Sequence, residues 1–391
     1  MTALQARDTF AFHGVGGQDM QAAGLRSRFD MAELTVMGLS EVLPRLPALL
    51  RRIRETAEDV IARRPEVLIT IDSPDFTLRV AARARRALPD LKVVHYVAPS
   101  VWAWRAGRAA KMARYVDHVL ALLPFEPPYM HAAGMTCDFV GHPVAGHPQP
   151  SKHEIAAWRE ARGLKPGRPT LLLALGSRKG EVRRLTDPFV GASVGIAARH
   201  QSDLAIISPL AETVEAEVRA VLDAHHPDAL VVAPEATSEE KRLAFAAADA
   251  ALCASGTVTL EIAAADTPMV AGYRTTRLTA AIARRLLKVN SANLINLVSG
   301  QVVVPELLQE FCTTGAITDA LLPLLGSGEA GEAQKSAFAE VMETLGRGGP
   351  PPEERAADSV LAFLRGDARI PHEKGPGLEP PGPRIGHEGR R

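Results

Sequence analysis

The sequence predicts an α/β protein built from two Rossmann-like, doubly wound parallel-sheet domains. Three observations predict it. Short apolar runs without polar alternation recur along the chain, which is the pattern of strands buried on both faces. Longer stretches with apolar residues at i, i+3 and i+4 lie between them, as in Leu43–Ile61 and Glu239–Ala247. The rhythm halts once, at the Pro- and Gly-rich Gly141–Ser151 (GHPVAGHPQPS), and then restarts.

Taken in order, the first half offers strands at Thr9–Gly14, Val67–Ile71, Val93–Val97, His118–Leu122 and Cys137–Val140. The second half offers Thr170–Leu175, Leu204–Ser208, Ala229–Ala233, Ala250–Ala254 and Met269–Gly272. The expected domains are residues 1–146 and 147–347. GRGGPPP (Gly346–Pro352) then interrupts, and residues 348–366 carry one last helix, Glu353–Arg365. Residues 367–391 are rich in Pro, Gly and charge with little to bury, and are expected to be disordered.

Bulk properties exclude several classes. A chain of 391 residues, 46% apolar and 23% charged, can bury sizeable cores, which favours an enzyme over a disordered adaptor. Lys+Arg and Asp+Glu both number 45, so the basic excess of a nucleic-acid binder is missing. Cys137, Cys253 and Cys312 lie far apart with no CxxC pair and no Cys/His cluster, so neither a disulfide framework nor a metal site is expected. No segment has the roughly 20 apolar residues of a spanning helix, and Met1–Thr9 has no signal-peptide core. Membrane contact would therefore be peripheral.

Five segments are candidates for chemistry. Gly14-Val15-Gly16-Gly17 follows a strand candidate but is not GxGxxG, since Asp19 stands at the third glycine; it reads as a tight turn. Ile71-Asp72-Ser73-Pro74-Asp75-Phe76 ends a buried strand in two acids, at the carboxyl edge where α/β sheets bind ligands. A carboxylate there can take a proton from an attacking hydroxyl; the alternative is that Asp72 or Asp75 merely caps the next helix. Ser100, Trp102, Trp104 and Arg105 follow another strand end, with the basic Arg108 and Lys111 just beyond, and suit a sugar, phosphate or lipid rim, with core packing the alternative for one of the two tryptophans. In the second half, Gly176-Ser177-Arg178 with Glu181, and Ser255-Gly256-Thr257 with Glu261, each join a strand end to a helix start. Backbone N–H groups at such starts bind anions. One turn would fit plain capping; two on neighbouring strand ends suggest a diphosphate.

These residues resemble the lipid-A-disaccharide synthase family. The resemblance rests on Gly38 with Glu41-Val42-Leu43, IDSPDF (Ile71–Phe76), HYVAPSVWAWR (His95–Arg105), LLPFE (Leu122–Glu126) and FVGHP (Phe139–Pro143). It continues through GSR with Glu181, ASGTVTLE (Ala254–Glu261) and Asn293-Leu294-Ile295-Asn296, all in the family's order from Phe12 to about Phe363. It implies a GT-B fold with the active site in the cleft between the domains. The implied reaction moves 2,3-diacylglucosamine from UDP-2,3-diacylglucosamine to 2,3-diacylglucosamine 1-phosphate, inverting, to give a β-1,6-linked disaccharide 1-phosphate and UDP. By motif matching Asp72 is the implied base, with Asp75 the alternative. Arg178 would neutralise the diphosphate beside Gly176 and Ser177, with Ser255, Gly256 and Thr257 donating to it. Glu261 would hold the ribose, and Asn293 and Asn296 would shape the donor pocket. No metal or other cofactor is implied, because helix N-termini and Arg178 supply the charge stabilisation.

The resemblance also implies peripheral attachment to an anionic membrane surface, on the inner face of the cytoplasmic membrane. The stretch after Gly38 interleaves Leu39, Val42, Leu43, Leu46, Leu49, Leu50 and Ile53 with Arg45, Arg51, Arg52 and Arg54, which suits an interfacial helix. An amphipathic helix packed on its own sheet is the alternative. The oligomeric state is open, a homodimer included. Two departures stand out: family members usually have proline where Leu175 stands, and they open with a strand and a GExSGD-type loop ahead of Phe12-His13-Gly14. Met1–Ala6 reads as the end of the helix after that loop, so the true start is expected roughly 25–35 residues upstream, the size of a strand–loop–helix unit. Without those residues the chain is expected to express poorly. The rival readings are a UDP-N-acetylglucosamine 2-epimerase-like enzyme of the same fold, or an inactive remnant that binds UDP or lipid.

Overall fold

The structure, a computed structural model, describes all residues except 35–38, 104–106, 200–203, 277–278, 281–284, 286–288, 290, 327 and 369–391. The side chains of residues 32 and 39–45 also lie outside the description. The expected tail falls almost wholly among the excluded residues, and Gly38 is one of them. The chain forms two compact units: Met1–Pro143 together with the chain from Gly348, and Val144–Arg347.

The first unit holds a parallel sheet of β1 (Val67–Ile71), β2 (Lys92–Tyr96), β3 (His118–Ala121) and β4 (Thr136–Phe139), in that spatial order. Its helices are α1 (Thr2–Gln5), α2 (Gln18–Ala22), α3 (Leu39–Arg63), α4 (Pro74–Ala87), α5 (Gly107–Met112) and α6 (Pro127–Ala132). One sheet face packs Val93 and Val119 against Leu78, Ala81, Met112 and Met130. The other packs Val94 and Leu120 against Leu4, Val360 and Leu361. The C-terminal helix Pro352–Arg365 is tied to this second face through buried His118. Its ring bonds Thr136 Oγ1 at 2.7 Å and Ser359 Oγ at 2.8 Å, and stacks on Phe363 with centroids 5.0 Å apart.

Thr9–Gly14 is not the strand that its composition predicts. Its one β contact is an isolated bridge from Gly14 to Ser27, and Phe10 and Phe12 rest on the apolar face around Leu4 and Val360. A strand needs a ladder partner, and Phe10 and Phe12 instead line a cleft of about 2460 Å³ together with Val67 and Ile69. Among the described residues β1 is therefore an edge strand.

The second unit is built on α7 (Lys152–Ala161), β5 (Thr170–Ala174), α8 (Lys179–Arg199), β6 (Ala205–Pro209), α9 (Glu215–His225), β7 (Leu230–Val232), α10 (Ser238–Ala246), β8 (Ala250–Ala254), α11 (Val258–Ala264) and β9 (Met269–Tyr273). A short strand that sequence reading missed, β10 (Glu306–Leu308), completes a parallel sheet ordered β10-β9-β8-β5-β6-β7. Ser151 opens α7 with a reciprocal capping box to Glu154. Every residue of β5 and β8 is buried, which is why neither shows polar alternation. The chain moves outward from β5 through β6 and β7, then returns to β8 on the other flank of β5. Strand order thus reverses between β5 and β8, and the crevice outside their carboxyl ends is the position at which α/β sheets bind ligands.

Candidate active site

Both polar turns of the second unit sit at that reversal, one after β5 and one after β8. Gly176 has φ +110°, and a Cβ there would fall 2.9 Å from Glu181 Oε2 and 3.0 Å from Glu181 Cβ. Only glycine leaves room for this carboxylate to fold back over the turn. Glu181 accepts the Ser177 N–H at 3.2 Å and pairs with Arg178 Nη1 at 2.7 Å. The helix start expected to face a diphosphate is thus covered by the protein's own carboxylate, with the Arg178 side chain 59% exposed beside it.

After β8, Ser255 N–H still donates to Gly272 O at 2.9 Å and so prolongs the ladder. Its hydroxyl donates to Glu306 Oε1 at 2.9 Å. Glu306 also accepts from Ser291 Oγ at 2.7 Å and from the Ala292 N–H at 3.1 Å. One carboxylate thereby fastens the β8 turn to the segment that enters the helix Leu294–Ser299. Asn293 caps that helix by accepting the Ile295 N–H at 2.8 Å. Asn296 accepts the Val303 and Val304 N–H groups, both at 2.9 Å, and donates to Val304 O at 3.0 Å. Both asparagines are buried, behind the turn rather than on its surface. Gly256 and Thr257 lead into α11, with open space where a Gly256 Cβ would stand. Glu261 lies in the first turn of α11, where burial raises its pKa and Lys241 opposes the shift.

In the first unit, Asp72 closes β1 by donating its N–H to Tyr96 O at 2.9 Å. Asp72 and Ser73 then adopt φ of 43° and 42°, two successive left-handed residues that are not glycine. Such backbone strain persists only where surrounding structure enforces it. Here Thr77 Oγ1 holds Asp72 O at 2.6 Å and Pro74 starts α4. Asp72 does not cap α4: the cap position is Ser73, and no side chain bonds to the helix start. Among the described residues the Asp72 carboxylate has no hydrogen-bond or ion-pair partner. It lines a cavity of about 190 Å³ with His95, Pro99, Ser100 and Arg108. Asp75 is outside that cavity's lining, 4.0 Å from Arg108.

Trp102, expected on an exposed rim, is buried instead. Its Nε1 donates to Glu126 Oε1 at 3.2 Å and its ring meets Phe125 edge-on with centroids 5.1 Å apart. The indole fills the space beside the LLPFE loop because its N–H finds a buried acceptor there. Burial pushes the Glu126 carboxyl up to about 7, although the Leu123 and Leu122 N–H groups and Trp102 work against the shift. Trp104 and Arg105 lie outside the described residues. Ile53, expected on a lipid-facing side, is also buried; it packs with Phe29, Ala57, Phe76 and Val80. On the same helix Arg52 pairs with Glu33 and Glu55, so part of the α3 charge is spent within the protein. Leu50 remains 42% exposed. Side chains of Leu39, Val42, Leu43 and Arg45 lie outside the description. No helix is long and apolar enough to cross a membrane among the described residues.

Sequence reading gave no role to Glu306 or His95, and took Arg108 only as one of the basic residues beside the tryptophan rim. Glu306 is a single charge in the otherwise apolar Val302–Leu308, which was its one available signal. His95 and Arg108 stand within or just after the HYVAPSVWAWR motif, yet nothing in their spacing shows that both face Asp72.

Two parallel α/β units, with polar turns at the strand-order reversal of the second, define the GT-B class of nucleotide-sugar enzymes. Solved structures of similar fold include S. aureus MnaA with UDP, at TM-score 0.57 and 13% identity over 90% of this chain and 96% of that one. Another is a putative UDP-N-acetylglucosamine 2-epimerase from Listeria monocytogenes, at TM-score 0.56 and 12% identity over 88% and 83%. At such identities the likeness is one of fold alone. Residues 1–358 match the family described as lipid-A-disaccharide synthetase. Relatives named lipid-A-disaccharide synthase are 52% identical in Ruegeria pomeroyi, over 91% of this chain and 88% of the relative, and 43% in Rhodospirillum centenum, over 90% and 87%. The chain belongs to the lipid-A-disaccharide synthase family, glycosyltransferases of lipid A synthesis.

Proposed function

We propose that this chain transfers 2,3-diacylglucosamine from its UDP derivative to 2,3-diacylglucosamine 1-phosphate with inversion at the sugar carbon. The 6-hydroxyl of the acceptor attacks C1 of the donor sugar. As that C–O bond forms, the C1–O bond to UDP breaks and its electron pair stays on the β-phosphate oxygen. Asp72 takes the hydroxyl proton. The donor belongs to the second unit: Arg178 turns from Glu181 toward the diphosphate, and the Ser255–Thr257 turn donates to it. Glu261 faces the ribose, and Glu306, Asn293 and Asn296 hold the turn in shape.

The observation that carries this reading is the Asp72 carboxylate, unbonded among the described residues, at a strained strand end and lining a cavity. A general base must exchange protons, and a carboxylate already tied into hydrogen bonds would be a poor one. The test is acceptor-dependent UDP release by wild type and by Asp72→Asn. The variant should lose about 10²–10⁴-fold in kcat while UDP affinity is unchanged. Retention of a tenth of wild-type turnover would overturn the assignment. UDP release without acceptor would favour the epimerase-like chemistry instead.

The acylated substrates support peripheral attachment to the inner face of the cytoplasmic membrane, through the N-terminal half of α3 near exposed Leu50. Flotation with anionic liposomes should carry the protein upward at low salt, and recovery wholly in the soluble fraction would refute it.

A further inference from the structure

The cavity beside Asp72 contains more than a base. Arg108, on α5, reaches its wall with a side chain 32% exposed. Among the described residues its only ion pair is with Asp75, at 4.0 Å, and that partner's side chain is 89% exposed. A contact this long to so exposed a group neutralises little of the guanidinium. Across the cavity His95 is buried, with its Nδ1 bonded to Thr70 Oγ1 at 2.8 Å. Burial first, and then the Arg108 charge, push the His95 pKa down to about 4, so at neutral pH the imidazole is uncharged. Ser100 adds a hydroxyl. Among the described residues the lining therefore holds one under-neutralised cation, one unpartnered carboxylate and two neutral hydrogen-bonding groups.

That set is suited to a ligand with an anion at one end and a hydroxyl at the other. At about 190 Å³ the cavity is smaller than the roughly 300–1,000 Å³ of complete small-molecule sites, so it fits a head group and not an acylated molecule. We propose that Arg108 binds the phosphate monoester of the acceptor sugar and so presents the 6-hydroxyl of the same sugar to Asp72. This rests on the reading of the acceptor as a sugar 1-phosphate. A 2,3-diacylated glucosamine keeps two free hydroxyls, one on ring carbon 4 and one on the exocyclic carbon 6, and a phosphate fixed at C1 decides which one meets the base. Arg108 is thus a residue of regiochemistry as well as affinity. Guanidinium is the fitting cation, since its planar fork can hold two phosphate oxygens at once.

The test uses the full chain and glucosamine 1-phosphate, the head group without acyl chains, followed by its ³¹P signal. Wild type should bind it, and Arg108→Gln should weaken binding by about 10–100-fold, the worth of a charge-assisted contact. Arg108→Lys should recover part of the loss, which guards against a folding defect in the first variant. Glucosamine lacking phosphate should bind both proteins equally weakly. In turnover, Arg108→Gln should erase the preference for phosphorylated over dephosphorylated acceptor and leave the donor KM unchanged. Unaltered binding of glucosamine 1-phosphate by Arg108→Gln overturns the proposal, as does inorganic phosphate binding as tightly as the sugar phosphate. If the anion site behaves as described but no transfer to any acceptor occurs, the site stands and the transferase reading falls. If transfer is normal and the binding test fails, the reverse holds.

Discussion

The two units treat their functional polar groups in opposite ways. In the second, Glu306 gathers Ser255, Ser291 and Ala292, Asn296 clamps Val303 and Val304, and Glu181 holds both Ser177 and Arg178. In the first, Asp72 has no partner among the described residues, and Arg108 has one at the 4.0 Å limit. In the first unit Asp72, Ser73 and Val97 also take left-handed φ of 43°, 42° and 79° near these groups, and the second unit has such residues at Asp266 and Gln309. The contrast fits the roles proposed above. A nucleotide is bound best by dipoles fixed in advance, which suits groups whose hydrogen bonds are completed within the protein. A base must gain and lose a proton, which suits a carboxylate that is unbonded among the described residues.

The contrast breaks most readily at Glu306. Glu306→Ala leaves several donors around it without an acceptor, at about 1–3 kcal/mol for each that stays buried, and the losses are not additive. The second unit should lose roughly 3 kcal/mol in denaturant unfolding followed through Trp158. Asp72→Asn should change stability by less than about 0.5 kcal/mol, since asparagine tolerates a left-handed backbone and no bond is lost. Equal destabilisation by the two variants would erase the distinction.

Arg178→Ala comes next. A charge-assisted contact is worth about 1.5–3 kcal/mol, so UDP affinity should fall about 10–100-fold by calorimetry. Glu181→Gln removes the carboxylate that competes with the diphosphate for Arg178, and should tighten UDP about 2–5-fold. Unchanged UDP affinity in Arg178→Ala would misplace the diphosphate.

Gly176→Ala should be milder in stability. A left-handed alanine costs roughly 1–2 kcal/mol, and the methyl group must also displace Glu181. The melting temperature should fall, and UDP binding should weaken with it. An unaffected melting temperature would mean that this turn is looser than its hydrogen bonds suggest.

The smallest effect concerns pH and is read in the first unit. Burial lowers His95 and His142 to about 4, below their unfolded value, so their stability is complete above about 6.5 and is lost as pH falls toward 4. Glu126, raised to about 7, runs the other way: its contribution is complete below its unfolded value and is lost as pH rises through 7. Between about pH 7.5 and 5.5 the two trends offset, and unfolding followed at Trp102 should be nearly flat. Glu126→Gln removes one trend, so the variant should become less stable on acidification by roughly 2–3 kcal/mol over that range. A variant as flat as wild type would show that the buried histidines do not govern this unit.

Much of this architecture was legible before any coordinates. Strands buried on both faces carry no polar alternation, so Val67–Ile71 and Ala250–Ala254 appear in the sequence with the limits they have in the fold. Asp72 and the Gly176 and Ser255 turns were legible for a local reason: each follows directly on its own strand. What tertiary structure alone decided is whatever depends on a partner distant in the chain. Thr9–Gly14 has strand-like composition, but among the described residues it pairs with no strand and makes only the isolated Gly14–Ser27 bridge. Trp102 became a core residue because Glu126 accepts its N–H from 24 positions away. Ser255 is steadied by Glu306 at a separation of 51. Local sequence sets backbone preference and hydrophobic period, whereas the pairing of buried polar groups is settled only when the chain closes on itself and each donor takes the acceptor within reach.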